Sequence, residues 1–131
     1  MTAPITRIAP DFALLKKTGF DSVIDVRSPS EFQDDHMPGA INLPVLDDAQ
    51  RAKIGAIYKQ TNPFEAKRSG AALVAQNLAG HLQTDLAKKD RDWRPLIYCW
   101  RGGQRSGAMA KVFSDIGWRS AVIEGGYKSY R

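Results

Sequence analysis

The sequence predicts an α/β fold, a parallel β-sheet with helices on both faces. Three observations lead there. Short β-branched apolar runs alternate with longer helical patterns, and Pro95-Leu96-Ile97-Tyr98-Cys99 is apolar enough to be buried on both sides. Glycines and capping residues separate the two kinds of segment. At 131 residues the chain fits one compact domain, 1–131, able to bury a core without disulfides or metals.

Taken in order, Asp11-Phe12-Ala13-Leu14-Leu15-Lys16-Lys17 predicts a short helix stopped near Gly19. Ser22-Val23-Ile24-Asp25-Val26-Arg27 predicts a strand, and Ser28-Pro29-Ser30-Glu31 the start of a helix. There Ser28 is the cap, Pro29 the first helical residue, and Glu31 closes a capping box. His36-Met37-Pro38-Gly39 is a turn, and Ala40-Ile41-Asn42-Leu43 a strand that Pro44 ends. Residues 46–60 read as helix. A longer helix is expected over about 64–89, because Ala71, Val74, Leu78, Leu82 and Leu86 build one apolar stripe. After the strand at 95–99 and the break at Gly102-Gly103, residues 105–116 form a helix that Gly117 ends. Ala121-Val122-Ile123 is the last strand, before Gly125-Gly126. Ligands of such sheets bind at the carboxyl ends of strands, where Arg27 and Cys99 both sit.

Composition narrows the function classes. The single cysteine excludes an internal disulfide and a multi-cysteine metal site, so no metal is expected, and it fits a reducing compartment. No apolar run approaches the roughly 18 residues of a membrane span, and the first residues lack a signal pattern. The expectation is a cytoplasmic protein with no membrane partner. Residues 1–50 carry a net −4 and residues 51–131 a net +9. That asymmetry suits a basic face meeting an anion or nucleic acid, or lysines that merely solvate helices.

Most of the chemical information lies in Cys99-Trp100-Arg101-Gly102-Gly103-Gln104-Arg105-Ser106. A cysteine ends a buried strand, a short loop turns, and a helix begins. Successive backbone N–H groups and a positive helix end then converge on one small volume. Gly102 and Gly103 permit the dihedrals of such a nest. An anion would sit over the sulfur, and the same field would favour the thiolate, with Arg101 and Arg105 adding to it. The expected chemistry is attack by the thiolate on a bound anionic donor, leaving one chalcogen atom on the sulfur. A lone cysteine is otherwise a packing residue. Cys99 and Arg105 also match the Cys-x5-Arg-Ser pattern of cysteine phosphatases, whose general acid is not present within the loop, though an Asp from elsewhere could serve.

Asp25-Val26-Arg27-Ser28-Pro29-Ser30-Glu31-Phe32 and His36-Met37-Pro38-Gly39-Ala40-Ile41-Asn42-Leu43-Pro44 resemble the first signature of rhodanese domains. Tyr98-Cys99-Trp100-Arg101-Gly102-Gly103-Gln104-Arg105-Ser106-Gly107 is similar to the tRNA 2-selenouridine synthase family. So are Ile116-Gly117-Trp118, Glu124-Gly125-Gly126-Tyr127-Lys128-Ser129-Tyr130-Arg131 and the stretch from Tyr58 to Lys67. The resemblance covers nearly the whole chain. It implies a rhodanese-like fold and a transferase that exchanges sulfur for selenium at a wobble 2-thiouridine of tRNA, through a geranylated intermediate. Cys99 would carry the persulfide or perselenide, and Trp100 to Ser106 would form the cradle. No resident cofactor is implied; selenophosphate or thiosulfate is the donor substrate. The family continues into a P-loop domain, yet no Gly-x-x-x-x-Gly-Lys-Ser/Thr occurs in these residues. The expectation is therefore an isolated or truncated domain, with a P-loop partner in cis or in trans. The other readings are a stand-alone thiosulfate sulfurtransferase, a cysteine phosphatase or arsenate reductase, and a tRNA-binding module with an idle cysteine.

Asp25 and Arg27 are expected to support the loop, Asp25 by accepting its hydrogen bonds and Arg27 by pairing with a carboxylate. His36 is a candidate base but more simply a turn residue, and His81 an exposed helix residue. Trp100 is a lid, a platform for a flipped base, or packing against the next helix. Arg51, Lys53, Lys59, Lys67, Arg68, Lys88, Lys89, Arg91 and Arg94 are candidates for a tRNA-phosphate surface.

Overall fold

The computed structural model describes residues 2–9, 19–101 and 103–130. The expected helix at 11–17 lies outside them, as does Gly102 of the cysteine loop. The elements are β1 (Ile5–Ile8), β2 (Ser22–Asp25), α1 (Pro29–Asp34), β3 (Ile41–Asn42), α2 (Asp48–Gln60) and α3 (Pro63–Gln83). They continue with β4 (Pro95–Tyr98), α4 (Gln104–Ile116), β5 (Ser120–Ile123) and α5 (Gly126–Tyr130). The five strands pair in parallel in the order β1-β5-β4-β2-β3.

Strand β4 lies at the centre with all four residues buried, because it has neighbours on both edges and cores on both faces. Alternation along it feeds two cores. Ile97 and Cys99 join Ile24, Val122, Met109, Phe113, Trp93 and Trp118 on the face that α4 covers, where Leu78 of α3 also packs. Leu96 and Tyr98 join Ile8, Met37, Ala121, Ile123 and Tyr127 of α5 on the other. Tilted and edge-on contacts among Trp93, Phe113 and Trp118 lock the first core. Val26 N–H donates to the Tyr98 carbonyl at 3.1 Å, so β2 and β4 stay zipped up to the residue before the cysteine.

Three elements differ from expectation. Strand β1 was not anticipated: it is an edge strand between two prolines with three exposed residues, so it shows no run of buried positions. Helix α3 stops at Gln83 instead of near residue 89. Thr84 turns its hydroxyl back to the Gly80 carbonyl at 2.8 Å, a local bond that competes with helix continuation. Leu86 still reaches the core, from the turn beyond the helix, with its N–H on the His81 carbonyl. The third is α5, a short helix where only a Gly-Gly break was read.

Candidate active site

Cys99 follows the carboxyl end of β4 and is 3 % exposed. Its Sγ lies 3.2 Å from the Ser106 Oγ and accepts the Gly103 N–H at 3.2 Å. Ser106 is fully buried in the first turn of α4, where backbone N–H groups have no partner within the helix. Burial alone would push the thiol up. The Ser106 hydroxyl, the Ser106 and Gly103 N–H groups and the Arg105 charge outweigh it and bring the Cys99 pKa below its ordinary value.

The Ser106 hydroxyl has one proton and two calls on it, since its Oγ is also 3.2 Å from the Gly103 carbonyl. Beside a neutral thiol it can donate to Gly103; beside a thiolate it donates to sulfur. Ser106→Ala removes that donor. The midpoint of Cys99 alkylation against pH is expected below that of a free cysteine in the wild type, and higher in Ser106→Ala than in the wild type. An unchanged midpoint would show that the hydroxyl does not serve the thiolate.

The arginines of the loop divide. Arg105 sends Nη1 to Glu31 Oε1 at 2.8 Å and Nη2 to Oε2 at 3.4 Å. Glu31 also takes Arg51 and the Ser28 hydroxyl. Although burial opposes its charge, these partners, Arg105 foremost, pull Glu31 down to about 2. Glu31 thus has two roles: it accepts the Ser28 N–H at 3.2 Å, as the capping box predicts, and it ties α1 to the helix after the cysteine. Arg101 is exposed and makes no hydrogen bond or ion pair among the described residues. Gly103 and Gln104 are exposed at the start of α4.

Asp25 does not accept from the cysteine loop among the described residues. It is fully buried and takes the Arg27 N–H at 2.8 Å, Nε at 3.0–3.1 Å and Nη2 at 2.8 Å. A guanidinium 3 % exposed requires both carboxylate oxygens, and the residue two positions away supplies them. Arg27 also donates to the Asp35 carbonyl and lies 4.7 Å from the Tyr127 ring centroid. The guanidinium also lies 5.7 Å from the Tyr98 centroid, so what it packs on is the two tyrosine rings.

Tyr127 is the residue that reading the sequence missed. Its N–H donates to the Cys99 carbonyl at 2.8 Å, and Lys128 N–H to the Trp100 carbonyl at 2.9 Å, so the start of α5 clamps the loop from behind. The signal was Gly125-Gly126: both have left-handed φ, +72° and +64°, which place those N–H groups. Trp100 packs on Tyr127 (centroids 6.3 Å apart), not on the helix that follows the loop. With Arg27, Glu31, Asp34, Asp35 and Tyr127 it lines a cavity of ≈ 240 Å³. His36 stacks on Phe32, centroids 3.7 Å apart, with Nδ1 2.7 Å from the Phe32 carbonyl. His81 is half-buried, its Nε2 2.7 Å from the Pro44 carbonyl, and so is not simply exposed. No cluster among the described residues could hold a metal ion, and no helix there is long and apolar enough to cross a membrane.

The sequence pattern of the rhodanese-like domain matches residues 10–131. The tRNA 2-selenouridine synthase of Nitrosomonas europaea is 40% identical over 110 residues, 83% of this chain and 29% of that protein. That of Chromohalobacter salexigens is 37% identical over 128 residues, 97% of this chain and 34% of that protein. The chain thus spans about a third of the length of these relatives. Among solved structures, the N-terminal domain of a Clostridium difficile 630 protein named for ATP/GTP binding superposes with a TM-score of 0.78 at 34% identity, covering 96% of each chain. With the family pattern matching nearly the whole chain and a superposition of this extent, the chain belongs to the rhodanese-like domain family.

Proposed function

We propose that this chain is the chalcogen-transfer domain of a tRNA-modifying transferase that converts 2-thiouridine to 2-selenouridine, with Cys99 as the persulfide or perselenide carrier. The observation that carries the reading is the thiolate field: Gly103 N–H and Ser106 Oγ at 3.2 Å from a buried sulfur with a depressed pKa. The names of the relatives supply the RNA substrate class. An ATP/GTP-binding portion, as in the name of the similar solved protein, would be supplied in cis or in trans.

With thiosulfate the step balances simply. The Cys99 thiolate attacks the outer sulfur, the S–S bond breaks, and sulfite leaves with the electron pair. The persulfide anion that remains keeps the donors that held the thiolate. With selenophosphate the balanced counterpart is attack on selenium, cleavage of the P–Se bond and departure of phosphite with the electron pair, leaving a perselenide anion beside the Gly103 N–H and the Ser106 hydroxyl.

Phosphatase chemistry fits less well. In a Cys-x5-Arg phosphatase the arginine must face the phosphate, whereas the Arg105 guanidinium is held by Glu31. Two assays run in parallel decide between them: sulfur transfer from thiosulfate to cyanide, and hydrolysis of para-nitrophenyl phosphate. Sulfur transfer that Cys99→Ala abolishes, with phosphate release at background, is the expected outcome. Cys99-dependent phosphate release without sulfur transfer would replace the proposal.

A further inference from the structure

At the end of the sheet opposite Cys99, three arginines surround one cavity. Arg94 immediately precedes β4, Arg119 immediately precedes β5, and Arg91 lies in the turn before Trp93. Because β4 and β5 are parallel neighbours, the residues that open them share an edge. The cavity measures ≈ 840 Å³, and a second of ≈ 450 Å³ shares Pro4, Arg94 and Arg119 with it and adds Ser120.

These charges differ from the four arginines that are paired elsewhere in the chain, though Arg7 and Arg101 are likewise outside any ion pair among the described residues. Arg27, Arg51, Arg68 and Arg105 are each held by a carboxylate. Arg91, Arg94 and Arg119 form no ion pair among the described residues, and Asp92 is the one described carboxylate in the lining. Asp21 stands nearby but accepts the Arg94 backbone N–H, while the Arg94 guanidinium lies 5.3 Å from the Phe20 centroid. Ser120 is 2 % exposed, and its hydroxyl is the buried side-chain polar atom without a hydrogen-bond partner among the described residues. Such an atom is costly unless something reaches it. Unpaired guanidiniums match phosphate oxygens in a planar, two-pronged way.

We propose that this arginine edge binds the phosphodiester backbone of RNA, as a second contact separate from the reacting nucleotide. The proposal rests on the reading of the chain as part of a tRNA-modifying protein. Three charges around a wide, open cavity suit successive backbone phosphates better than one small anion. The four-residue strands put the edge roughly 15 Å from Cys99, so it holds the body of the RNA and not the base being modified. It also divides the basic residues nominated from sequence: Arg51 and Arg68 are engaged in ion pairs, whereas Arg91 and Arg94 join Arg119.

The test is fluorescence anisotropy of a dye-labelled tRNA transcript titrated with this chain at several salt concentrations. Arg91→Gln/Arg94→Gln/Arg119→Gln is compared with the charge-matched Lys53→Gln/Lys59→Gln/Lys88→Gln. The edge variant is expected to bind at least ~10-fold more weakly at low salt, with the slope of log K against log salt reduced by about 2 to 3. The lysine variant should lose less than ~3-fold, as diffuse charge would. Equal losses in both variants, or no tRNA binding by the wild type, overturn the site. So does competition by millimolar inorganic phosphate, which marks a small-anion site, or by polyglutamate as effectively as by RNA. Arg119→Gln alone, checked for wild-type thermal unfolding, repeats the comparison should the triple variant not fold. Chalcogen loading of Cys99, followed by mass, is expected to be unchanged in the edge variant. A failure of loading in the wild type therefore counts against the transfer chemistry and not against this site.

Discussion

Asp25→Ala is expected to be among the most destabilising substitutions of a polar residue in the chain, by ~3–5 kcal/mol, because it leaves a buried charge without its partner. Arg27 is 3 % exposed, and its guanidinium is held by both Asp25 oxygens beneath Tyr127. Against a total stability of ~5–15 kcal/mol, that loss unfolds a large fraction of the molecules or nearly so. The cost comes from the orphaned arginine and not from a missing attraction, so removing both charges should be far milder. Asp25→Leu/Arg27→Met is expected within ~1.5 kcal/mol of wild type in urea unfolding. A mild Asp25→Ala, or a double variant as unstable as the single, would contradict this account of the pair.

Gly125→Ala is expected to detach α5 from the loop. Gly125 has φ +72°, and a Cβ there would lie 2.0 Å from Ser129 Oγ and 2.7 Å from Ser129 Cβ. The left-handed backbone alone costs ~1–3 kcal/mol for a residue with a side chain, and the clash adds to it. Relief requires α5 to move, which breaks the bonds from Tyr127 and Lys128 to the Cys99 and Trp100 carbonyls. The variant should show a lowered Tm and faster exchange of the Tyr127 amide. Adding Ser129→Gly removes the clash and not the φ strain, so it should restore only part of the Tm. A wild-type Tm in Gly125→Ala would mean that the Gly-Gly turn does not anchor α5.

How much of this was legible in the sequence depended on the range of the interactions. The start of α1 was readable because Ser28, Pro29 and Glu31 lie within one turn. So was the end of α4, where Gly117 takes φ +111°. The end of β4 follows from an apolar run meeting glycines. Contacts between distant residues were not readable. Glu31 holds Arg105 across 74 positions, and no local pattern announces that pairing. Asp25 was expected to accept from the cysteine loop, yet its partner is Arg27, because a buried guanidinium two residues away takes both oxygens. Of the stripe that ran on to Leu86, Leu78 and Leu86 are buried, Val74 and Leu82 half-buried and Ala71 exposed; Leu86 packs inward from beyond the helix, because Thr84 caps α3. The arginine edge needed the strand order, which alone brings the residues before β4 and β5 together.

Cys99, as proposed, is an activated thiolate that takes up one chalcogen atom. Intact-protein mass spectrometry after incubation with thiosulfate, and separately with selenophosphate, tests it directly. The expected result is a gain of one sulfur or one selenium atom that a thiol reverses and that Cys99→Ser does not show. No gain with either donor, in protein shown to be folded, would contradict it.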